Sequence, residues 1–199
     1  MAHLDSDALA AALDGIRAAP AEVGVLDLVV RRPSVGDREI LDEGRLAFAV
    51  GLVGDTWSQR SSKRTGDGSP HPEMQLNVMN SRVTRLIADT DDKAAWAMAG
   101  DQLYVDLDIS VANLPAGTRL RIGETTIEIT LQPHNGCAKF TQRFGLDAHR
   151  FVNSDVGKAL RMRGANAKVI VEGIVRPGDA VVREPHTATS AVTESAPAR

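Results

Sequence analysis

The sequence predicts a mainly β protein, with a barrel or sandwich core carrying a few short helices. Short β-branched runs recur along the chain, separated by Gly, Pro, Asn and Asp. The helical stretches are too few and too short to alternate with strands, which argues against a parallel α/β sheet. The chain has 199 residues, of which 43% are hydrophobic and 25% charged. That size and balance suit one domain with its own core.

The elements follow in order. Residues 6–18 read as a helix: Leu9, Leu13 and Ile16 share a face, Ser6 or Asp7 caps the start, and Pro20 ends the run. Residues 23–30 are short and β-branched, hence a strand, closed by Arg31-Arg32-Pro33. The apolar run 46–52 is a second strand, followed by the Gly54-Asp55 turn and Trp57. Residues 60–72 form a polar loop rich in Gly, Ser and Pro, expected beside the functional site.

A short strand is expected at 74–79, then helices at 81–89 and 91–99 with Ser81 and Thr90 as caps and Gly100 as a stop. Residues 103–108 alternate like a half-buried strand. After a turn at 113–118, residues 119–122 and 125–131 form a hairpin around Gly123-Glu124. Short helices are expected at 139–144 and 147–152, and strands at 167–175 and 180–183. Residues 1–20 are thus an N-terminal helix, 21–183 the β domain, and 184–199 a disordered tail rich in Ala, Thr, Ser and Pro.

The chain has a single cysteine, Cys137, in the run Pro133-His134-Asn135-Gly136-Cys137-Ala138-Lys139-Phe140. It sits among His134, Asn135, Lys139 and Arg143 rather than in an apolar run, a setting that favours the thiolate. A thiolate attacks electrophiles, carries sulfur or binds a soft metal. One cysteine excludes an intrachain disulfide framework and a multi-cysteine zinc site. Charge is divided along the chain: residues 1–133 have 13 basic against 20 acidic residues, and residues 134–176 have 8 against 3. The basic segment holds the cysteine and suits a pocket for a small anion such as phosphate. An overall charge of −3 and 4% aromatics argue against a nucleic-acid partner. The first residues are acidic, unlike a secretory leader, and no run approaches the roughly 20 apolar residues of a membrane span. The expectation is a cytoplasmic protein without a membrane partner. There is no nucleophile elbow, P-loop or dinucleotide fingerprint.

Several segments occur in a telling order: Gly51-Leu52-Val53-Gly54-Asp55, Gly100-Asp101-Gln102-Leu103, Leu114-Pro115-Ala116-Gly117, the cysteine run, Arg163-Gly164, and Gly173-Ile174-Val175-Arg176-Pro177-Gly178-Asp179. Together they resemble the MOSC domain family, named for the C-terminal domain of molybdenum cofactor sulfurases, over roughly residues 23–182. Gly136 stands where many relatives have proline before the cysteine. The resemblance implies a mixed, mostly antiparallel β-barrel and a pocket for molybdenum cofactor (molybdopterin), with Cys137 as metal ligand or sulfur carrier. It also matches Asn135 to the Asn-x-Cys arrangement of some members. A cofactor phosphate would then be held by cations drawn from Lys139, Arg143, Arg161 and Arg163. His134 would supply a proton or bond across the turn. Asp55, Asp101 and Asp179 read as turn residues, and Trp57 and Trp96 as core or pocket wall.

The function expected is that of a small molybdenum-dependent oxidoreductase reducing N-hydroxylated small molecules. No flavin motif or iron–sulfur cysteine set is present, so electrons would come from a separate donor protein. The alternatives are a persulfide carrier fed by a sulfur donor in trans, and a binding module for a phosphorylated small molecule.

Overall fold

A computed structural model describes residues 3–185. The tail expected to be disordered lies, from residue 186 onward, outside the described residues. The chain runs α1 (Ser6–Ala11), α2 (Leu13–Arg17), β1 (Val23–Arg31), β2 (Glu39–Leu41), β3 (Gly44–Ala47), β4 (Gly51–Leu52), β5 (Leu76–Asn80), α3 (Ser81–Ala88) and α4 (Lys93–Ala97). It continues with β6 (Leu103–Asp106), β7 (Arg119–Ile122), β8 (Thr125–Ile129), α5 (Ala138–Asn153), α6 (Asp155–Ala159), β9 (Ala165–Val171), β10 (Gly173–Val175) and β11 (Ala180–Arg183).

Seven strands close into a mixed barrel in the order β1-β11-β7-β8-β9-β5-β6, sealed where β6 pairs with β1. Strand β2 extends β1 outside the ring, and β10, β3 and β4 form a separate small sheet. The β5–β6 pairing is parallel, while the other ladders are antiparallel. A parallel pair needs a crossover, which α3 and α4 supply on the outer face. Both strands are buried on both faces, so β5 is apolar or amide throughout rather than alternating.

Leu26, Val29, Leu76, Val78, Leu103, Val105, Ile127 and Ile129 fill the barrel interior. Leu28, Val30, Met79 and Tyr104 point outward and pack under the helices with Leu9, Val83, Trp96, Phe140 and Phe144. A β-bulge between Leu26 and Leu28 resets the parity of β1, so that Leu26 and Val29 both face inward.

Several expected elements divide. The helix expected at 6–18 breaks at Ala12, and its cap is Asp5, whose carboxylate accepts from Ala8 N at 2.9 Å. The run 46–52 is two paired strands with a reversal between them, and 167–175 splits at Glu172 into β9 and β10 in different sheets. Asn80 and Asp92 cap α3 and α4, one residue before the expected Ser81 and two residues after the expected Thr90. The two short helices expected after the cysteine are halves of α5, kinked at Gly145, whose φ of 86° suits glycine. Among the described residues no helix is long and apolar enough to cross a membrane.

Candidate functional site

The barrel wall and α5 enclose a cleft of about 550 Å³. Its floor is built on two buried arginine–carboxylate pairs. Arg32, at the end of β1, meets Asp55 through Nε at 2.7 Å and Nη2 at 2.8 Å, and its own N–H adds a third bond at 3.0 Å. Arg163 donates from Nη1 to Asp101 Oδ2 at 2.7 Å. The exposures are 5% and 3% for the first pair and 8% and 0% for the second. Asp55 and Asp101 therefore do more than shape turns: each holds a buried cation at the base of the cleft.

A continuous polar relay links the Arg32–Asp55 pair to the cysteine loop. Arg32 Nη1 donates to Asn77 Oδ1, Asn77 Nδ2 to Asn166 Oδ1 at 2.7 Å, and Asn166 Nδ2 to the carbonyls of Gln132 and Pro133. Asn77 and Asn166 reach the relay from the neighbouring strands β5 and β9, in direct register. Every member is satisfied, which is the condition under which a buried network rigidifies its surroundings.

Farther along the loop, Gly136 is clamped from α5. Its N–H donates to Asn153 Oδ1 at 3.0 Å, and its carbonyl lies 3.2 Å from His149 Nε2. Cys137 then occupies the N-cap of α5 with extended backbone, and its side chain makes no capping bond. The thiol is exposed to the cleft. Partial burial works to raise its pKa, but the Phe140 and Lys139 backbone amides and the Arg163 charge outweigh that and pull it below the ordinary thiol value.

His134 Nε2 lies 3.0 Å from Asp101 Oδ1. Burial tends to keep Asp101 protonated, but Arg163 and His134 overcome it and hold the carboxyl below its ordinary range. Burial, followed by Arg163, pushes His134 below its own usual value despite Asp101. The imidazole is therefore neutral near pH 7, with Nε2 carrying the hydrogen toward the carboxylate and Nδ1 left as the acceptor.

Of the residues predicted for the site, Cys137, His134, Lys139, Arg143 and Arg163 line this cleft together. Asn135 and Arg161 line a separate cavity of about 390 Å³ on the other side of His134. Arg161 donates to the carbonyl of Leu114 at 2.6 Å, a role in holding the 110–114 turn rather than in the cleft. Arg32, Arg38, Arg60 and Asp101 are cleft or floor residues that the sequence reading did not single out as binding groups. Arg32 was read there as part of a basic pair ending a strand, Asp101 as a turn residue, and Arg60 only as the start of the polar loop expected beside the site. Three of these cations come from the acidic segment 1–133, so the linear charge division locates only half of the positive wall. The indole of Trp57 and the ring of Phe140 complete the walls, with the Arg163 guanidinium 5.1 Å from the Phe140 centroid.

Fold and site together define a small mixed β-barrel that presents one activated thiol in a strongly cationic cleft. Residues 65–182, more than half of the chain, match the MOSC domain, and the chain belongs to the MOSC domain family. Solved structures share the fold. The YUAD protein from Bacillus subtilis is 13% identical, with a TM-score of 0.62 over 82% of this chain and 97% of that one. YiiM from Escherichia coli is 19% identical, with a TM-score of 0.52 over 81% and 70%. YiiM from Geobacillus stearothermophilus is 14% identical, with the same score over 83% and 75%. No curated protein sequence matches.

Proposed function

We propose that the cleft binds molybdenum cofactor through the Cys137 thiolate, and that the protein is a small oxidoreductase acting on N-hydroxylated small molecules. The observation that supports this reading most is the coincidence, in one cleft, of the chain's single thiol, exposed and with a lowered pKa, and a set of cations. A soft thiolate suits molybdenum already held by sulfur donors, and one such ligand is sufficient. The cleft volume lies in the range of cofactor sites. Lys139, Arg38 and Arg143 supply donors for the terminal phosphate.

When bound, the cofactor supplies two-electron chemistry at the metal. The chain's own residues do the rest. Asp101 fixes the His134 tautomer, leaving Nδ1 to hold or pass a proton, while Arg163 keeps Asp101 ionised. Trp57 and Phe140 provide apolar walls that limit water. Breaking an N–O bond reductively consumes two electrons and two protons and releases water. The electrons come from a separate donor protein.

The unpartnered thiol favours one other reading, a persulfide carrier loaded by a sulfur donor in trans. Metal analysis of protein purified from a cofactor-producing host separates the two. The oxidoreductase reading expects near-stoichiometric molybdenum that disappears in Cys137→Ser. Absent molybdenum with cyanolysable sulfur on Cys137 overturns it in favour of the carrier. If neither is found and Cys137→Ser leaves ligand binding unchanged, the site is a binding module for a phosphorylated small molecule.

A further inference from the structure

Three consecutive backbone carbonyls after α4 each hold a different arginine. Met98 O accepts from Arg143 Nη1 at 2.7 Å, Ala99 O from Arg163 Nη2 at 3.1 Å, and Gly100 O from Arg32 Nη1 at 3.0 Å. The Arg38 guanidinium lies against the same turn: a Cβ added at Gly100, where φ is +88°, would sit 2.8 Å from Arg38 Nη2. Glycine thus permits both the backbone conformation and the approach. Carbonyls at a helix end carry partial negative charge, so this turn draws guanidinium groups together and sets their spacing.

The charges so gathered exceed what the protein neutralises. Arg32 and Arg163 have Asp55 and Asp101. Arg38, Arg60, Lys139 and Arg143 also line the cleft, and none forms an ion pair among the described residues. No Asp or Glu lines the cleft itself. Arg38 Nε is buried without a hydrogen-bond partner. Partial burial, then the charges of Arg143 and Arg32, push its pKa below the usual arginine value. A phosphate monoester brings roughly −1.5 to −2 at neutral pH and three acceptor oxygens. That leaves about half of this uncompensated charge standing. Two phosphate groups bring enough charge, and enough oxygens for the arginine forks to be met bidentately.

We propose that the Met98–Gly100 turn and its arginines form a seat for two phosphate-class groups, as in a diphosphate. The second group belongs either to a diphosphate form of the cofactor or to an anionic substrate. That choice of source rests on the cofactor reading above, whereas the seat itself does not.

Calorimetric titration of the cofactor-free chain at constant ionic strength tests the seat directly. Pyrophosphate binds at least tenfold more tightly than orthophosphate, and Arg38→Gln and Arg143→Gln each weaken pyrophosphate at least tenfold. Both side chains are only partly buried, and thermal melts confirm that the variants remain folded. Equal affinity for the two anions, or pyrophosphate binding unaffected by both arginine variants, overturns the proposal. Repeating the titration on molybdenum-loaded protein assigns the source. Loss of both pyrophosphate and orthophosphate binding places both groups on the cofactor, and retained orthophosphate binding places the second group on the substrate. Tight pyrophosphate binding by a chain that never takes up molybdenum leaves the seat standing and removes the cofactor reading.

Discussion

Asp101→Asn is the substitution that separates orientation from mere packing. Asp101 is fully buried and serves two partners, with Oδ2 accepting from Arg163 Nη1 at 2.7 Å and Oδ1 facing His134 Nε2 at 3.0 Å. An amide has nearly the same shape but only one oxygen. Arg163 can only donate, so it claims that oxygen, and the amide N–H₂ is turned toward His134. Two donors cannot face each other, so Nε2 must become the acceptor and the hydrogen moves to Nδ1. Removing one partner of a buried ion pair costs about 3–5 kcal/mol, and the remaining neutral bond returns about 1 kcal/mol. The net loss is roughly 2–4 kcal/mol, or roughly 4–16 °C in melting temperature for a domain of this size. The assays are a thermal melt and long-range nitrogen NMR of labelled histidines, with His134→Gln identifying the resonances. Nε2–H in the parent and Nδ1–H in the variant is the expected result. An unchanged tautomer, or a loss under about 1 kcal/mol, refutes the assignment of Asp101 as the group that orients His134.

Asn153→Ala removes the acceptor of the Gly136 N–H and should cost about 1–3 kcal/mol in melts. The same change should also alter the alkylation rate of the adjacent thiol, and an unchanged rate would show that the clamp does not govern Cys137. Asp55→Ala strands the buried Arg32 charge and should destabilise by about 3–5 kcal/mol in denaturant titrations, well beyond an exposed pair such as Arg85–Asp91. Acid should weaken the fold in two stages, because His134 and Asp101 both have folded pKa values below their ordinary ones. The unfolded chain binds more protons across each gap, so His134's contribution is complete above about pH 6.5 and Asp101's above about pH 3.9. Each is lost as pH falls toward the respective folded value. Melting temperature should therefore decline as pH falls below about 6.5, with that upper stage missing in His134→Gln. A rise in melting temperature between about pH 6.5 and 5 would contradict the assigned directions.

The barrel strands were legible because each is short, apolar on the inward face and bounded by turn residues. The parallel β5–β6 pair was not, since α3 and α4 are only 8 and 5 residues long and do not announce a βαβ unit. Nor could the bulge in β1 be read, because Leu26 to Val30 is apolar at nearly every position and shows no change of parity. In the site, Cys137 and His134 were visible through their unusual neighbours. Arg163 was visible as a cation beside glycine, but its carboxylate was not. Asp101 follows a glycine and precedes a strand, the common setting of a turn aspartate, and only the fold brings it to Arg163, 62 residues away. Arg38 and Arg60 lie in polar loops where exposed arginine is ordinary. Asn135 was chosen through the Asn-x-Cys arrangement of the resembled family and Arg161 as a candidate cation for a phosphate, and both line the cavity on the other side of His134.

The turn at Met98–Gly100 also governs when the protein can become competent. The arginines it holds come from positions 45, 64 and 68 residues distant along the chain. The full set is in place only when the end of β1, α5 and the approach to β9 have all met the turn, and such long-range closures are the slow part of folding. A half-finished barrel therefore assembles only part of this cationic wall. Once the last arginine docks, any bound anion stabilises only the completed state, because binding the native form alone shifts the equilibrium toward it. For the proposed seat, anion uptake thus follows completed folding and reinforces it.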